Sequence, residues 1–197
     1  MCPHLGSNGK GQKHEVWEGG VHVAGWVNGG MLPASVRGST HSPLIHVTDW
    51  APTIMTILAG TDMAASVPPG IALDGVSMWS CLAAEPGSKA KQAACTAAGR
   101  RDILYNVNLL CDDPSASPTP GSTDFFSEVP APKAGLRVGD MVLLAECYDY
   151  KTKALRGRKS LYNITADVSQ DNDLAANMPA TVAELARRIE EYLFRAI

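Results

Sequence analysis

The sequence has few charged residues, few aromatic residues and no long apolar run, and each shortage excludes a class of protein. Charged residues make up 19% and aromatic residues 6% of the 197 positions, whereas hydrophobic residues make up 45%. Ordinary hydrophobicity with a net charge of only −3 is not the composition of a disordered tail. The chain has no concentrated basic segment, which argues against nucleic-acid binding. It also has no uninterrupted apolar stretch of roughly 18 residues, so we expect no membrane span.

The cysteines are too scattered for a small disulfide scaffold or a zinc site. There are five of them, and no CxxC pair occurs: Cys2, Cys81, Cys95, Cys111 and Cys147. Because the count is odd, at least one thiol has no partner within this chain.

The first residues do not resemble a leader peptide, although one motif belongs to the secretory route. Met1–Gly6 contains neither a basic segment nor an apolar core, so we expect no signal peptide here. Asn163-Ile164-Thr165 is an N-glycosylation sequon, which acts only on proteins that enter the secretory pathway. These two observations leave the compartment open.

The first part of the chain predicts one strand and one long helix. Val21–Val27 is rich in small and β-branched residues between glycines, which predicts a short buried strand. A helix is predicted from Thr48 to Gly60, with Thr48 as N-cap, Pro52 in the first turn and Gly60 at the end.

That helix places Ile54, Ile57 and Leu58 on one face. A short helix is expected at 77–84 and an irregular connector at 85–101. One strand and one capped helix cannot build a sheet core, so this half resembles the end of a larger α/β layer.

The second part predicts an antiparallel sheet covered by one amphipathic helix. Four strands are expected, at 103–107, 134–138, 141–147 and 161–164. A tight hairpin turn at Gly139-Asp140 joins the second strand to the third. The remaining segments are a loop insertion at 112–132, a solvated basic connector at 151–159 and a helix at 179–195. The fold class is therefore α/β.

The densest polar cluster precedes the predicted first strand. Lys13-His14-Glu15-Val16-Trp17-Glu18-Gly19-Gly20-Val21 holds a lysine that is either an anion-binding residue or a solvated surface residue. Glu15 and Glu18 are either rim charges or, for Glu18, a residue that holds the turn. Neither His14 nor His22 has metal-ligand spacing to other ligands, and Asp49 is interpreted as a helix N-terminal acid rather than a catalytic base.

This segment resembles the Lys-x-x-x-aromatic-Glu-Gly-Gly-Val segment of the type I sulfatases, with Trp17 closest to the arylsulfatase B branch. His46-Val47-Thr48-Asp49-Trp50-Ala51-Pro52-Thr53 is similar to a second motif of that branch. Five further matches follow in family order: Leu73–Val76, Asp102–Asn106, Leu136–Asp140, Leu161–Asp167 and Asn172–Leu174.

The resemblance implies an enzyme that hydrolyses sulfate monoesters of sugars or aryl alcohols and that resides in the lysosome or is secreted. It implies a formylglycine nucleophile made from cysteine in Cys-x-Pro-x-Arg, and a Ca²⁺ ion held by Asp and Asn side chains. Lys13 is the one residue here that carries over, as a contact to the sulfate group.

The chain departs from the family pattern in several places. No cysteine lies in Cys-x-Pro-x-Arg, and the paired aspartates and the Asp-Asn-Gly that would hold calcium are absent. His22 stands where the family usually has arginine, which either weakens the anion pocket or repacks it. The 112–132 stretch resembles an extended form of a family loop that often borders the cleft.

We therefore expect the C-terminal part of an arylsulfatase-like enzyme, inactive by itself. Residues 1–85 would be the end of the large sulfatase domain, and 86–197 the small C-terminal subdomain. The alternatives are a non-catalytic remnant or binding module, and a related hydrolase of phosphate esters, which Trp17–Gly20 and Asp49-Trp50 argue against.

Overall fold

The structure is a computed structural model, and it describes residues 16–60, 63, 67–71, 73–98, 100–105, 134–149 and 154–195. Two predictions lie outside these ranges: the sulfate contact at Lys13 and the loop insertion at 112–132.

Five α-helices are present in the described ranges: α1 (Glu18–Val21), α2 (Trp50–Ala59), α3 (Trp79–Leu82), α4 (Lys89–Ala98) and α5 (Pro179–Arg195). Four strands form one sheet in the order β1-β2-β3-β4: β1 (Asp102–Leu104), β2 (Ala134–Val138), β3 (Met141–Asp149) and β4 (Ala154–Asn163). None of the helices described is long and apolar enough to cross a membrane.

The chain divides into two compact units. The first comprises Met1–Ala24 with Leu104–Ile197, and the second comprises Gly25–Ile103.

The core of the first unit lies between the sheet and α5. β2 and β3 pair antiparallel through Leu136 and Leu143, and β3 pairs antiparallel with β4 through Leu143 and Leu161. These leucines are fully buried against Leu185 and Ile189 of α5. The predicted α/β class, the hairpin and the covering helix are confirmed. Alternate apolar residues of the strands lie on one face of the sheet, and the helically spaced apolar residues of α5 pack against that face.

The second unit contains a small core around a disulfide bond. Cys81 of α3 is joined to Cys95 of α4 across 14 residues, and Met78 and Leu82 are buried beside it. The cysteine pattern did not identify this pairing.

Three sequence predictions of local structure are wrong. Val21–Val27 is not a strand, because Glu18–Val21 forms a helical turn and 22–28 has no regular structure. The 85–101 connector contains α4, whose alanine-rich sequence favours a helix. The 151–159 connector contains the first part of β4, where Leu155 is buried and Arg156 and Arg158 lie on exposed positions.

The long helix was predicted correctly in its extent but not in its N-cap. Asp49, not Thr48, is the N-cap of α2, and Gly60 ends the helix with a φ of 66°. Pro52 and Thr53 are its buried residues, whereas Ile54 and Leu58 are exposed.

Candidate functional site

The candidate site is the motif segment that begins at Lys13, of which Val16 to His22 is described. Trp17 is the N-cap of a single helical turn. The Val21 amide donates to the Trp17 carbonyl, and the His22 amide donates to the Glu18 carbonyl. The two glycines of Glu18-Gly19-Gly20-Val21 therefore lie in a compact turn.

The Glu18 side chain is buried, with only 1% of the residue exposed. Its Oε1 lies 3.0 Å from Arg137 Nη1 and 3.1 Å from His22 Nδ1, and its Oε2 accepts from the Tyr105 hydroxyl at 3.3 Å. Its backbone amide donates to Gln170 Oε1 at 2.7 Å. We call Glu18, His22, Tyr105, Arg137 and Gln170 the Glu18 cluster.

The sheet explains why Arg137 meets this carboxylate. Arg137 of β2 pairs with Val142 of β3, which pairs with Tyr162 of β4, so the three side chains form one row across the sheet. Because alternate residues point to opposite faces, this row lies opposite the face that α5 covers. The Trp17 ring packs on Tyr162 with ring centroids 5.8 Å apart, so the motif segment covers this second face.

Tyr105 is held as a neutral donor in the cluster. Burial, and after it the negative charge of Glu18, raises the pKa of the Tyr105 hydroxyl well above its usual value. The Tyr105 amide donates to the Gly135 carbonyl at 2.7 Å, and a Cβ on Gly135 would crowd the Tyr105 ring. A side chain at position 135 would therefore force the neighbouring Leu144 and Tyr105 side chains to shift.

A second buried carboxylate lies in the second unit. Asp49 is fully buried; its Oδ1 accepts from Arg100 Nη2 at 2.6 Å and from the Val76 amide at 2.9 Å. Its Oδ2 accepts from the His46 amide at 2.7 Å and lies 2.6 Å from Arg100 Nε. We call Asp49, His46, Val76 and Arg100 the Asp49 cluster.

The Asp49 cluster joins two motifs that are separate in sequence. Gly75 passes so close to Thr48 that a Cβ on it would collide with the Thr48 carbonyl. Arg100 Nη2 also donates to the Asp74 carbonyl at 2.6 Å. Asp49 does sit at the start of a helix, as expected, but its main partner is a guanidinium 51 residues away.

Neither carboxylate is arranged for acid–base chemistry on a substrate. Both are buried, and each is matched by an arginine and by backbone or hydroxyl donors, so both act as internal anchors. Arg137 lies in one of the motif matches, but the sequence does not indicate that Arg137 pairs with Glu18 or Arg100 with Asp49, because each arginine lies more than 50 residues from its carboxylate.

The residues described do not fit a calcium site. Among them no group of three His, Cys, Asp or Glu side chains could hold a metal ion.

No protein-family model matches the chain. The chain is 26% identical over 204 residues to Arylsulfatase J of Mus musculus, a match that covers 93% of this chain and 31% of that protein. The chain thus spans about a third of the length of this curated relative.

Among solved structures, the chain is similar to a sulfatase from work on the metabolism of multiple glycosaminoglycans by Bacteroides thetaiotaomicron. The sequence identity is 16%, the TM-score is 0.40, and the match covers 73% of this chain and 24% of that one. The match to the mouse protein over nearly the whole chain confirms the resemblance that the motifs predict: the chain is similar to the C-terminal portion of an arylsulfatase of the type I sulfatase family.

Proposed function

We propose that this chain is the C-terminal part of an arylsulfatase-like hydrolase of sulfate monoesters. The observation that carries the proposal is the match to Arylsulfatase J over 93% of this chain but only 31% of that protein. In the intact enzyme the substrate is a sulfated sugar or an aryl sulfate, and the protein is lysosomal or secreted. Residues 1–85 end the large domain, and 86–197 form the small subdomain.

Two structural features support this assignment. The Glu18 cluster fixes the motif segment to the sheet. A fixed segment suits the proposed role of its first residue, Lys13, which must be held against an anionic group. Ile54, Met55 and Leu58 of α2 are exposed, and an apolar helix face of this kind is typical of a helix that packs on a further layer.

In this proposal Lys13 contacts the sulfate group as a compact positive charge with three donors. Negative charge builds on the leaving oxygen during S–O cleavage, and a fixed cation stabilises that charge. The nucleophile and the calcium ligands come from sequence outside this chain, because none of the five cysteines lies in Cys-x-Pro-x-Arg.

The first test is to read the transcript upstream of the Met1 codon. An in-frame segment that encodes Cys-x-Pro-x-Arg and paired aspartates supports the proposal, whereas a stop codon directly upstream contradicts it and favours a non-catalytic remnant. The 197-residue chain by itself is expected to give no turnover of 4-nitrophenyl sulfate above buffer.

The second test uses the full-length protein. Lys13→Ala is expected to lower kcat/KM for an aryl sulfate by about 10²–10³-fold, the usual effect of removing one donor to a developing anion. Lys10→Ala, three residues earlier in the same segment, is the matched control and is expected to leave kcat/KM unchanged. Wild-type activity in Lys13→Ala would show that this lysine has been misassigned.

A further inference from the structure

We propose that Gln170 is a positioning residue, which holds the motif segment by the backbone amide of Glu18. The role of Lys13 in this inference rests on the proposed function, whereas the contact between Gln170 and Glu18 can be tested without it. Gln170 follows Glu18 by 152 residues and lies between two of the motif matches, Leu161–Asp167 and Asn172–Leu174. The spacing of the two residues in the sequence does not indicate that they meet.

The Glu18 amide needs an acceptor from outside its own helical turn. The first N–H groups of a helix have no partner within it, and an N-cap side chain commonly accepts from one of them. Trp17 is the N-cap of α1, and its side chain makes no such hydrogen bond. Gln170 Oε1 accepts from the Glu18 amide at 2.7 Å. A distant glutamine thus does for this turn what a capping residue normally does.

Water cannot easily replace this hydrogen bond, because both residues are buried. Glu18 is 1% exposed and Gln170 is 2% exposed. A buried amide that loses its acceptor keeps the full cost of leaving water, which exceeds the net gain from an ordinary hydrogen bond. The turn is therefore expected to move when the glutamine oxygen is removed.

The backbone of Gln170 is held in a conformation that favours glycine. Its φ is 56°, and among the described residues it is the single non-glycine residue with a positive φ. The left-handed region is unfavourable for a residue with a Cβ, and such strain persists only where the surrounding structure fixes it. Strain of this kind often occurs at functional sites. Here it occurs at the residue whose side chain reaches α1.

The turn that carries Gln170 is fixed by its own hydrogen bonds. The Asp167 carbonyl accepts from the Gln170 amide at 3.1 Å. The Asp167 carboxylate accepts from the amides of the next two residues after Gln170, at 3.1 and 2.8 Å. Asp173 Oδ1 then accepts from the Leu161 amide at 3.0 Å, which joins the end of the turn to β4. Gln170 is therefore presented from a turn that is attached to the sheet.

Glu18 is thus held through its side chain and through its backbone. Arg137 and Tyr105 contact the carboxylate, whereas Gln170 contacts the amide. Lys13 lies five residues before Glu18 in the same segment, so a displaced Glu18 backbone displaces the residues that carry the lysine. A functional side chain must be held within about 0.5 Å of its productive position. Gln170 therefore acts on the sulfate group through Lys13 and not by touching the substrate.

Amide hydrogen exchange of the 197-residue chain tests the contact directly and needs no activity. Gln170→Met keeps the length of the side chain and removes its acceptor oxygen. It is expected to raise the exchange rate of the Glu18 amide by about 10-fold, the effect of losing one hydrogen bond. The Ile189 amide, in the core helix α5, should exchange at its wild-type rate. Ser169→Ala changes an exposed neighbour and is the control, which should alter neither rate.

Gln170→Gly is a second variant that removes the same oxygen. Glycine adopts a φ of 56° without strain, so this variant preserves the backbone of the turn even if methionine does not. The same rise at Glu18 is expected. An unchanged Glu18 rate in either variant overturns the proposal. An equal rise at Glu18 and Ile189 also overturns it, because that result reports a loss of overall stability.

The full-length protein tests the link to Lys13. Gln170→Met is expected to lower kcat for an aryl sulfate by about 10-fold with little change in KM, because a displaced cation stabilises the transition state less well. In a Lys13→Ala background the same substitution is expected to cause no further loss, since Gln170 acts through Lys13. A residue that only stabilises the fold would lower activity by the same factor in both backgrounds.

The two proposals fail in different ways. Wild-type activity in Lys13→Ala contradicts the proposed function and, with it, the link from Gln170 to the sulfate group. A loss of activity in Lys13→Ala, combined with a wild-type kcat in Gln170→Met or with equal losses in both backgrounds, overturns the positioning role alone.

Discussion

The Glu18 carboxylate lies 3.0 Å from the Arg137 guanidinium, although 119 residues separate the two along the chain. This pair joins a motif segment near the start of the chain to the second strand of the sheet. Glu18 is buried and the Arg137 side chain is only 20% exposed, so water screens the pair poorly. The ion pair therefore fixes where the motif segment lies in the first unit.

Glu18→Ala is expected to lower the free energy of unfolding by about 3–5 kcal/mol, because it leaves Arg137 and Tyr105 without their acceptor. Glu18→Gln keeps the size and an acceptor oxygen and is expected to cost less. Urea denaturation of the purified chain measures both. Combining Glu18→Ala with Arg137→Met should cost less than the sum of the single changes, since the unpaired charge is then absent.

The matched control for this cycle is Arg187→Ala, which removes exposed ion pairs on α5. It is expected to leave the urea midpoint unchanged, because exposed pairs contribute little. Strict additivity of Glu18→Ala and Arg137→Met would contradict the direct coupling.

Gly75→Ala is expected to destabilise the second unit by about 1–3 kcal/mol, since its Cβ would collide with the Thr48 carbonyl and the backbone would have to shift. That shift would separate the Val76 amide from Asp49. Thermal unfolding measures the effect. Gly29→Ala is the control, because a Cβ there meets nothing within 4 Å; equal losses in both variants would refute the close approach at Gly75.

Reduction of the Cys81–Cys95 bond is expected to lower the stability of the second unit by about 3 kcal/mol, the entropy expected for a loop of roughly 15 residues. Calorimetry with and without reductant measures the loss, and alkylation with mass spectrometry confirms that the thiols are free. The Cys81→Ala/Cys95→Ala double variant should no longer respond to reductant. An unchanged transition in fully reduced wild-type chain would contradict the prediction.

Asp173 is expected to contribute stability that acid removes. Burial tends to raise the pKa of Asp173, but the amides of Ala175 and Leu161, with Ser160 and Arg158, outweigh it and lower the pKa below its ordinary value. A carboxyl with a depressed folded-state pKa stabilises above its unfolded-state pKa of about 3.9, and that stability is lost as the pH falls through the lower folded-state value.

Asp173→Asn removes this titration and tests its sign. The wild-type chain should be more stable than the variant at pH 7, and the difference should shrink as the pH is lowered from about 5 to below 4. Urea denaturation over that pH series measures it. A difference that does not change with pH would show that Asp173 contributes nothing through its charge.

Local patterns were sufficient for elements whose signals are strong and short-range. The β2–β3 hairpin follows from alternation around Gly139-Asp140, and α5 follows from helical spacing after Pro179. The same patterns failed at Val21–Val27. Glu18, which is bound by the distant Arg137, begins a helical turn that includes Val21, and local spacing does not show this contact. They failed at 154–159, because Arg156 and Arg158, which are exposed on β4, make this stretch look solvated although Leu155 is buried.

The sequence by itself determined the α/β class, the hairpin with its covering helix, and the ordered motifs that resemble the sulfatases. Tertiary structure decided what those motif residues do, because Glu18 and Asp49 each obtain their counter-ion from a strand or segment far along the chain. A buried carboxylate is stable only when its partners are in place, and only the folded chain brings those partners within hydrogen-bond distance.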